Sequence, residues 1–178
     1  MATTVILVLA GGLWFGVRGA DNLHVVQTDV LYRSAQMDPD TLRRTIVDKG
    51  IRSVLNLRGE KPDSHWYEKE TEVTRSLGIR HLSHKLSALK KVSPEELEGI
   101  LLIMDAAPKP LLVHCEGGSD RTGLIAAAWA FSREHQSPEE AHKQLSLRYG
   151  HVPYLWSGTG VMDRSFWNYV QQTKTGAQ

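Results

Sequence analysis

The chain has 178 residues, of which 41% are hydrophobic and 23% charged, as in a soluble globular domain with a core of its own. Its formal net charge of +1 provides no overall field that would attract nucleic acid, so we expect no nucleic-acid partner and only a local anion site. A single cysteine excludes an internal disulfide, and the eight histidines are not spaced as zinc ligands.

The N-terminus differs in composition from the rest of the chain. Residues 1–17 form an uncharged apolar run that ends at Arg18. A membrane-spanning helix needs about 20 apolar residues, with about 17 as the lower limit. Trp14 and Phe15, near the end of the run, suit a membrane interface. A cleaved signal peptide fits less well, because no basic residue precedes the run and Arg18 is unfavourable at a cleavage site.

We therefore predict two parts. Residues 1–20 are a hydrophobic anchor or a signal segment, with an ordinary buried segment as a further alternative, and residues 21–178 are one domain. An anchor would associate the protein with a membrane through residues 2–17. Arg18 alone determines the orientation weakly, so the cytoplasmic and the extracytoplasmic side both stay open. The oligomeric state is also left open by the sequence.

The rest of the chain alternates extended segments with helices. In chain order, the sequence predicts two strands around a turn in residues 23–36, a helix over 38–50, a strand over 51–57, a helix over 64–77, a strand over 79–84, a helix over 93–107, a strand over 111–115, and helices over 121–135, 137–150 and 160–172. The strand at 111–115 is apolar, as expected at the centre of a parallel sheet. This order predicts an α/β fold, with a short and mostly parallel central sheet flanked by helices.

Capping residues mark the starts of these helices. Asp38 is the predicted N-cap of the first helix, and either Asp63 or Ser64 caps the second. Ser93 and Ser137 each stand three residues before a glutamate, which is the capping-box pattern. Four helix starts are therefore marked by the sequence.

The stretch LLVHCEGGSDRTGL, residues 111–124, holds the only cysteine. Cys115 stands where a buried strand ends and Arg121 where a helix begins, with five residues between them that include two glycines. Ligands of parallel sheets bind beyond the carboxyl ends of the strands, and glycines allow a short loop to turn its backbone N–H groups inward. With the helix N-terminus, such a loop binds an oxyanion of the size of phosphate or sulfate. The predicted anion-binding residues are Glu116, Gly117, Gly118, Ser119, Asp120 and Arg121.

Cys115 is the predicted nucleophile of this loop. The positive field of the loop favours its thiolate form, and a thiolate beneath a bound phosphate group is placed for in-line attack on phosphorus, which gives a phosphocysteine. Arg121 can bind two oxygens at once, and with the backbone amides it carries the charge, so neither a metal nor another cofactor is required. Thr122 is predicted to donate a hydrogen bond to the leaving sulfur, and His114 to order the loop through backbone carbonyls.

The sequence HCEGGSDRTG resembles the His-Cys-x-x-Gly-x-x-Arg-Thr-Gly signature of the cysteine-dependent protein tyrosine and dual-specificity phosphatases. The segments LYRSAQ, VLNLRGE and RYGHVPYL are similar to the compact atypical dual-specificity phosphatases of bacteria, plants and fungi, over roughly residues 24–170. The resemblance implies a parallel sheet flanked by helices. Rhodaneses, with one residue fewer before the arginine, and low-molecular-weight phosphatases, whose cysteine lies near the N-terminus, fit less well.

Phosphatases of this kind usually carry an aspartate on a mobile loop, which protonates the leaving oxygen. In this chain the corresponding segment, residues 82–94, contains no Asp or Glu. Asp120 is one replacement, because it resembles an aspartate in the loops of some bacterial phosphatases; its other role would be to pin Arg121 or to cap the helix. Asp63 is a second candidate and His84 a weaker one. The alternative that neither carboxylate acts as the acid stays open.

These residues predict a metal-independent phosphomonoester hydrolase of the protein tyrosine or dual-specificity type, acting on a phosphoprotein or a small phosphorylated metabolite. Lys85, Lys90 and Lys91 are either a solvated face or contacts for a polyanion, which keeps inositol polyphosphates and pyrophosphates open as substrates. The apolar N-terminus keeps phospholipid head groups open. A pseudo-phosphatase module that binds phosphate without turnover is the alternative from another class. We also expect Arg33 to pair with a carboxylate or a carbonyl behind the loop.

Overall fold

A computed structural model describes residues 21–153 and 158–176. The predicted anchor at residues 1–17 lies outside these residues. Within the described part, no helix combines the length and the apolar character that crossing a bilayer requires.

The described chain alternates strands and helices, as the sequence predicts. Its elements are β1 (His24–Gln27), β2 (Leu31–Ser34), α1 (Pro39–Lys49), β3 (Ser53–Asn56), α2 (His65–Ser76), β4 (Arg80–Ser83), α3 (Pro94–Ala106), β5 (Leu111–His114), α4 (Asp120–Ser132), α5 (Pro138–His142), a 3-10 turn (Leu147–Tyr149) and α6 (Gly160–Gly176). The strands are shorter than predicted, because residues at their ends already belong to loops.

The strands form one sheet in the order β1-β2-β5-β3-β4. Only the edge strand β1 is antiparallel to its neighbour, so the predicted mostly parallel sheet is confirmed. The end of β5 lies at the centre, with His114 opposite Ser34 of β2 and Asn56 of β3. The loops that follow these three strands therefore meet at one edge of the sheet, where α/β proteins bind ligands.

The two faces of the sheet are covered by different helices. Leu31, Leu55 and Val113 face a core that includes residues of α3, α4 and α6. Val54 and Leu112 face a smaller core with residues of α1 and α2. Neighbouring positions of a strand point to opposite faces of the sheet. Because helices cover both faces, both faces of these strands are apolar.

The helix caps follow the sequence with one exception. The side chains of Asp38, Ser93 and Ser137 each accept a hydrogen bond from a backbone N–H of the first turn. Ser64 stands at the N-cap position of α2, but its hydroxyl donates to the Lys61 carbonyl at 2.7 Å and makes no capping bond. The prediction of a side-chain cap on α2 is therefore wrong.

The helix predicted over residues 137–150 is also wrong beyond His142, where α5 ends. The backbone carbonyl of Gln144 accepts a hydrogen bond from Arg33 Nη1 at 2.8 Å. A Cβ atom at Gly123 of α4 would lie 2.9 Å from the same carbonyl oxygen. The segment after α5 therefore approaches α4 so closely that only glycine fits at position 123. Residues 143–145 keep only hydrogen bonds to carbonyls three residues earlier, and the Gln144 carbonyl bonds to Arg33 instead of to a helical N–H.

Candidate active site

Cys115 follows directly on β5, and Arg121 stands in the first turn of α4. Residues 115–121, called here the cysteine loop, connect the two elements. Cys115 is only 2% exposed, and Arg121 is partly buried. The nucleophile and the clamp predicted from the sequence therefore lie at the two ends of one short loop at the centre of the sheet edge.

Three consecutive carbonyl oxygens of the cysteine loop are bound by the body of the protein. The carbonyl of Glu116 accepts from the backbone N–H of Gln36 (3.1 Å), that of Gly117 from Asn22 Nδ2 (3.0 Å) and that of Gly118 from Arg33 Nη2 (2.8 Å). In a trans peptide the N–H points opposite to the preceding C=O. The N–H groups of the three following residues are therefore turned away from the protein body, as an anion cradle requires.

Arg33 and Gly118 fix the loop against β2. Arg33 is fully buried, lies over the ring of Tyr149 at 3.9 Å, and binds carbonyls behind the loop, which confirms the predicted pairing. Gly118 has a φ of +69°, and a Cβ atom there would lie 2.6 Å from the backbone N of Ala35. Any other residue would push the loop away from β2.

Two polar groups of the loop and the first turn of α4 are buried without a partner among the described residues. Arg121 Nε and Thr122 Oγ1 are buried and make no hydrogen bond to any described residue. A buried donor without a partner is costly, and an oxyanion would supply the acceptors. The clamp role of Arg121 and the donation from Thr122 to the sulfur stay predictions.

A buried cluster lies at the start of the loop. Glu70 of α2 accepts hydrogen bonds from Nε2 of His114 (3.2 Å), Nε2 of His81 (2.8 Å) and the amide of Gln36. Nδ1 of His114 lies 3.2 Å from the carbonyl oxygen of Cys115. Burial alone would raise the pKa of Glu70, but His114, His81 and Gln36 hold it well below its usual range. We call these four residues the Glu70 cluster.

Sequence reasoning missed Glu70, which lies far from the cysteine loop along the chain. The available signal was its position on α2, one turn before the buried residues Val73 and Thr74. A carboxylate on the buried face of an amphipathic helix is rare unless it is paired.

A second buried cluster holds Asp120, the first residue of α4. His151 donates from Nδ1 to Asp120 Oδ1 at 2.6 Å and from Nε2 to Asp163 Oδ2 at 2.9 Å. His142 contacts the other oxygen of Asp163 at 2.8 Å. Burial alone would lower the pKa of His151, but the two carboxylates outweigh it and raise the pKa to about 9. We call these four residues the His151 cluster.

The sequence comparison agrees with this geometry. Residues 17–153 match the model of the family described as "DSP-PTPase phosphatase fused to NAD+ Kinase". The chain belongs to this family. It is a cysteine-dependent phosphatase of the dual-specificity type, and the resemblance stated above for the cysteine loop is confirmed.

Solved phosphatase structures share the fold at low sequence identity. TpbA of P. aeruginosa is 20% identical with a TM-score of 0.66, and the match covers 87% of this chain and 92% of that chain. The core catalytic domain of the PP-IP phosphatase SIW14 of S. cerevisiae is 17% identical with a TM-score of 0.64, covering 88% and 92%. PTPMT1 in complex with PI(5)P is 18% identical with a TM-score of 0.61, covering 86% and 99%. No curated protein sequence matches the chain significantly.

The other acid candidates of this phosphatase lie outside the two clusters. Asp63 is exposed on the turn before α2 and makes no hydrogen bond or ion pair with a described residue. His84 follows β4, and its Nε2 lies 3.3 Å from Oε1 of Glu96. Of the three candidates, only Asp120 belongs to the cysteine loop and is held by a buried partner.

Basic side chains lie on the loops that follow β3 and β4 at this edge of the sheet. The guanidinium of Arg58 stacks on the ring of Trp66 at 3.7 Å, and its Nη2 lies 4.0 Å from Oε2 of Glu116 in the cysteine loop. The loop between β4 and α3 carries three exposed lysines that make no ion pair with a described residue: Lys85, Lys90 and Lys91. Among the described residues, no group of His, Cys, Asp or Glu side chains is arranged to hold a metal ion.

Proposed function

We propose that this phosphatase hydrolyses phosphomonoesters through a phosphocysteine on Cys115. The thiolate sulfur attacks phosphorus, the bond from phosphorus to the leaving oxygen breaks, and water then attacks phosphorus to release inorganic phosphate and the thiolate. The observation that carries the proposal is the backbone of residues 116–118, whose carbonyls are all bound from behind, so that the following N–H groups are available to an oxyanion.

The residues around Cys115 supply the charge for both steps. Arg121 would bind two equatorial oxygens of the phosphoryl group through its planar fork. Thr122 would donate its hydroxyl to the sulfur when the thiolate leaves in the second step. His114, fixed by Glu70, would hold the carbonyl of Cys115 and thereby the direction of the nucleophile.

A metal-free turnover assay tests this mechanism. With para-nitrophenyl phosphate and a metal chelator present, we expect the wild-type chain to turn over and Cys115→Ser to release no phosphate. Arg121→Lys keeps the positive charge but loses the fork, and we expect it to lower kcat by at least about a hundredfold. Turnover that survives Cys115→Ser would contradict the phosphocysteine mechanism. Phosphate binding without wild-type turnover would instead support a pseudo-phosphatase module.

We propose Asp120 as the acid that protonates the leaving oxygen. It is the candidate acid that lies within the cysteine loop, and its Oδ2 makes no hydrogen bond or ion pair with a described residue. Asp120→Asn should lower kcat/KM for an alkyl phosphate by about a hundredfold more than for para-nitrophenyl phosphate, whose leaving group needs little protonation. Asp63→Asn, on the exposed turn, is the matched control and should leave this ratio unchanged. Equal losses on both esters in Asp120→Asn would contradict an acid role.

A polyanionic substrate is the second candidate for this site. Lys85, Lys90 and Lys91 are exposed and without ion pairs among the described residues, on the loop that follows β4 at the same sheet edge. They would attract a ligand with several phosphates. Compared on phosphopeptides, inositol phosphates and phosphoinositides, a variant with all three lysines changed to Gln should lose kcat/KM mainly on the polyphosphorylated substrates. Equal kcat/KM in wild type and variant on all substrates would contradict this candidate.

We also propose that residues 1–17 hold the phosphatase at a membrane. The proposal rests on the uncharged apolar run of the sequence. Sedimentation with membranes should be seen for the full chain and lost for a chain shortened to residues 21–178. A full chain that stays in the supernatant would contradict it.

A further inference from the structure

We propose that His151 is a positioning residue for Asp120, and that the two side chains form one proton-carrying unit that serves both steps of the reaction. This inference rests on the proposed phosphocysteine mechanism and deepens it. It assigns the stored proton to a histidine that lies outside the cysteine loop, on the segment after the 3-10 turn.

The geometry shows where the proton is held. The side chain of His151 is 1% exposed, and its two ring nitrogens lie 2.6 Å from Asp120 and 2.9 Å from Asp163. Carboxylate oxygens accept hydrogen bonds, so both ring nitrogens carry a proton and the ring is an imidazolium. The raised pKa of His151, about 9, agrees with this charge. At neutral pH the Asp120–His151 pair therefore holds a removable proton.

The groups around His151 come from three elements. Asp120 belongs to α4, Asp163 to the first turn of α6, and His142 to the end of α5. His142 contacts Asp163 and packs against the ring of Phe166 at 5.6 Å between ring centroids, so Asp163 is held from two sides. His151 is thus fixed between two carboxylates, of which only Asp120 is part of the cysteine loop.

The proton of His151 reaches the substrate through the carboxylate of Asp120. Its side chain is 25% exposed, whereas that of His151 is 1% exposed, so a leaving oxygen can reach the carboxylate but not the ring. Only Oδ1 of Asp120 is bound to His151, and Oδ2 makes no hydrogen bond or ion pair with a described residue. His151 therefore acts through Asp120.

The proton balance closes over the two steps. In the first step, the sulfur–phosphorus bond forms, the phosphorus–oxygen bond breaks, and the leaving oxygen takes a proton from Asp120 as the proton of His151 Nδ1 moves to the carboxylate. The pair is then a neutral imidazole beside a carboxylate. In the second step, water attacks phosphorus and gives its proton to this pair, which restores the imidazolium. A lone aspartate, with an ordinary pKa of about 3.9, would carry almost no proton at neutral pH.

The test measures how kcat/KM depends on the leaving group, because kcat/KM reports the step in which the leaving group departs. We expect His151→Asn to lower kcat/KM for glycerol phosphate by about a hundredfold and for para-nitrophenyl phosphate by less than about threefold. His135→Asn is the matched control, because His135 is exposed, makes no contact with the cluster, and has a φ of +56° that asparagine tolerates. It should change neither value.

The pH dependence of kcat/KM distinguishes proton transfer from a purely structural role of His151, because a structural role would not change it. The ratio of kcat/KM for the two esters removes effects of pH that are common to both substrates, and above about pH 7 both phosphate esters are dianions. In the wild type this ratio should fall as the pH rises through about 9, where the pair loses its proton. In His151→Asn the fall near this pH should be absent. In Asp163→Asn, which keeps the contact to Asp120, it should move to lower pH.

Several results would overturn the proposal. Equal losses on both esters in His151→Asn would show that His151 only packs the loop, and a partly unfolded variant would also lose both equally. An unchanged pH dependence in Asp163→Asn would exclude His151 as the proton store. A double variant Asp120→Asn/His151→Asn that is much slower on glycerol phosphate than either single variant would show that the two do not act as one unit. These failures leave Cys115-dependent turnover of para-nitrophenyl phosphate intact, whereas failure of the proposed function abolishes it.

Discussion

The Glu70 cluster and the His151 cluster flank the cysteine loop at its two ends and are built in opposite ways. Glu70 is a buried acceptor among donors, with two imidazoles and an amide directed at one carboxylate. His151 is a buried donor between acceptors, with two carboxylates directed at one imidazole. In both clusters burial opposes the charge and the partners outweigh it, so each charge exists only because the fold brings its partners together.

The difference lies in which proton can be removed near neutral pH. The partners of Glu70 hold its pKa well below its usual range, so this cluster keeps its carboxylate charged and acts as a fixed support for His114. The partners of His151 raise its pKa to about 9, so this cluster keeps a proton that can be given up and regained. The first arrangement suits positioning of the nucleophile, and the second suits proton transfer.

Breaking the Glu70 cluster should have the largest effect. Glu70→Gln keeps the size of the side chain but presents an amide to three donors, and we expect the free energy of unfolding to fall by about 3 kcal/mol. We also expect kcat to fall by about a hundredfold, because His114 is no longer held. Urea unfolding and phosphatase assays measure the two effects. Glu72→Gln, on the exposed face of the same helix, is the control and should cost less than about 0.5 kcal/mol.

The pH dependence of stability should separate the two clusters. A raised pKa stabilises the fold fully below the ordinary value of 6.5, and this contribution is lost as the pH rises through about 9. The difference in unfolding free energy between wild type and His151→Asn should therefore shrink from pH 6.5 to above pH 9. The lowered pKa of Glu70 acts in the opposite direction. The difference in unfolding free energy between wild type and Glu70→Gln should therefore stay constant over this pH range and shrink only as the pH falls below 4.5. Parallel curves for both variants would contradict the assignment of charges.

An exposed acid–imidazole pair should have the smallest effect. The side chains of His84 and Glu96 are 29% and 42% exposed, so water competes for both charges. We expect His84→Asn to change the free energy of unfolding by less than about 0.5 kcal/mol. Thermal unfolding measures it beside His151→Asn, which makes the same substitution in a buried pair. A loss comparable to that of His151→Asn would mean that burial does not decide the strength of these pairs.

Local sequence signals predicted most of the elements. The caps at Asp38, Ser93 and Ser137 form because their hydrogen bonds join residues two or three positions apart. The end of α5 could not be predicted in this way, because its continuation is replaced by a bond from Arg33 to Gln144 across 111 residues. The cap on α2 failed for a local reason, since the Ser64 hydroxyl donates to the Lys61 carbonyl of its own turn and accepts no bond from a helix N–H.

In the functional site, too, local sequence signals predicted some features and long-range contacts decided the others. The cysteine loop could be located from the sequence, because its cysteine, glycines and arginine lie within seven consecutive residues; the roles of these residues stay predictions. Glu70 was not predicted, because its partners come from the loop after β2, from β4 and from β5, and no spacing along the chain relates them. Asp120 was named as a candidate acid, but its partner His151 was not.

The sequence by itself determined the kind of reaction. A cysteine and an arginine separated by a glycine-containing loop at the end of an apolar strand need only local geometry to bind an oxyanion. Tertiary structure alone decided which groups are charged around that loop. The pKa values of Glu70 and His151 depend on burial and on partners from other elements, and these exist only after the sheet and its helices have packed.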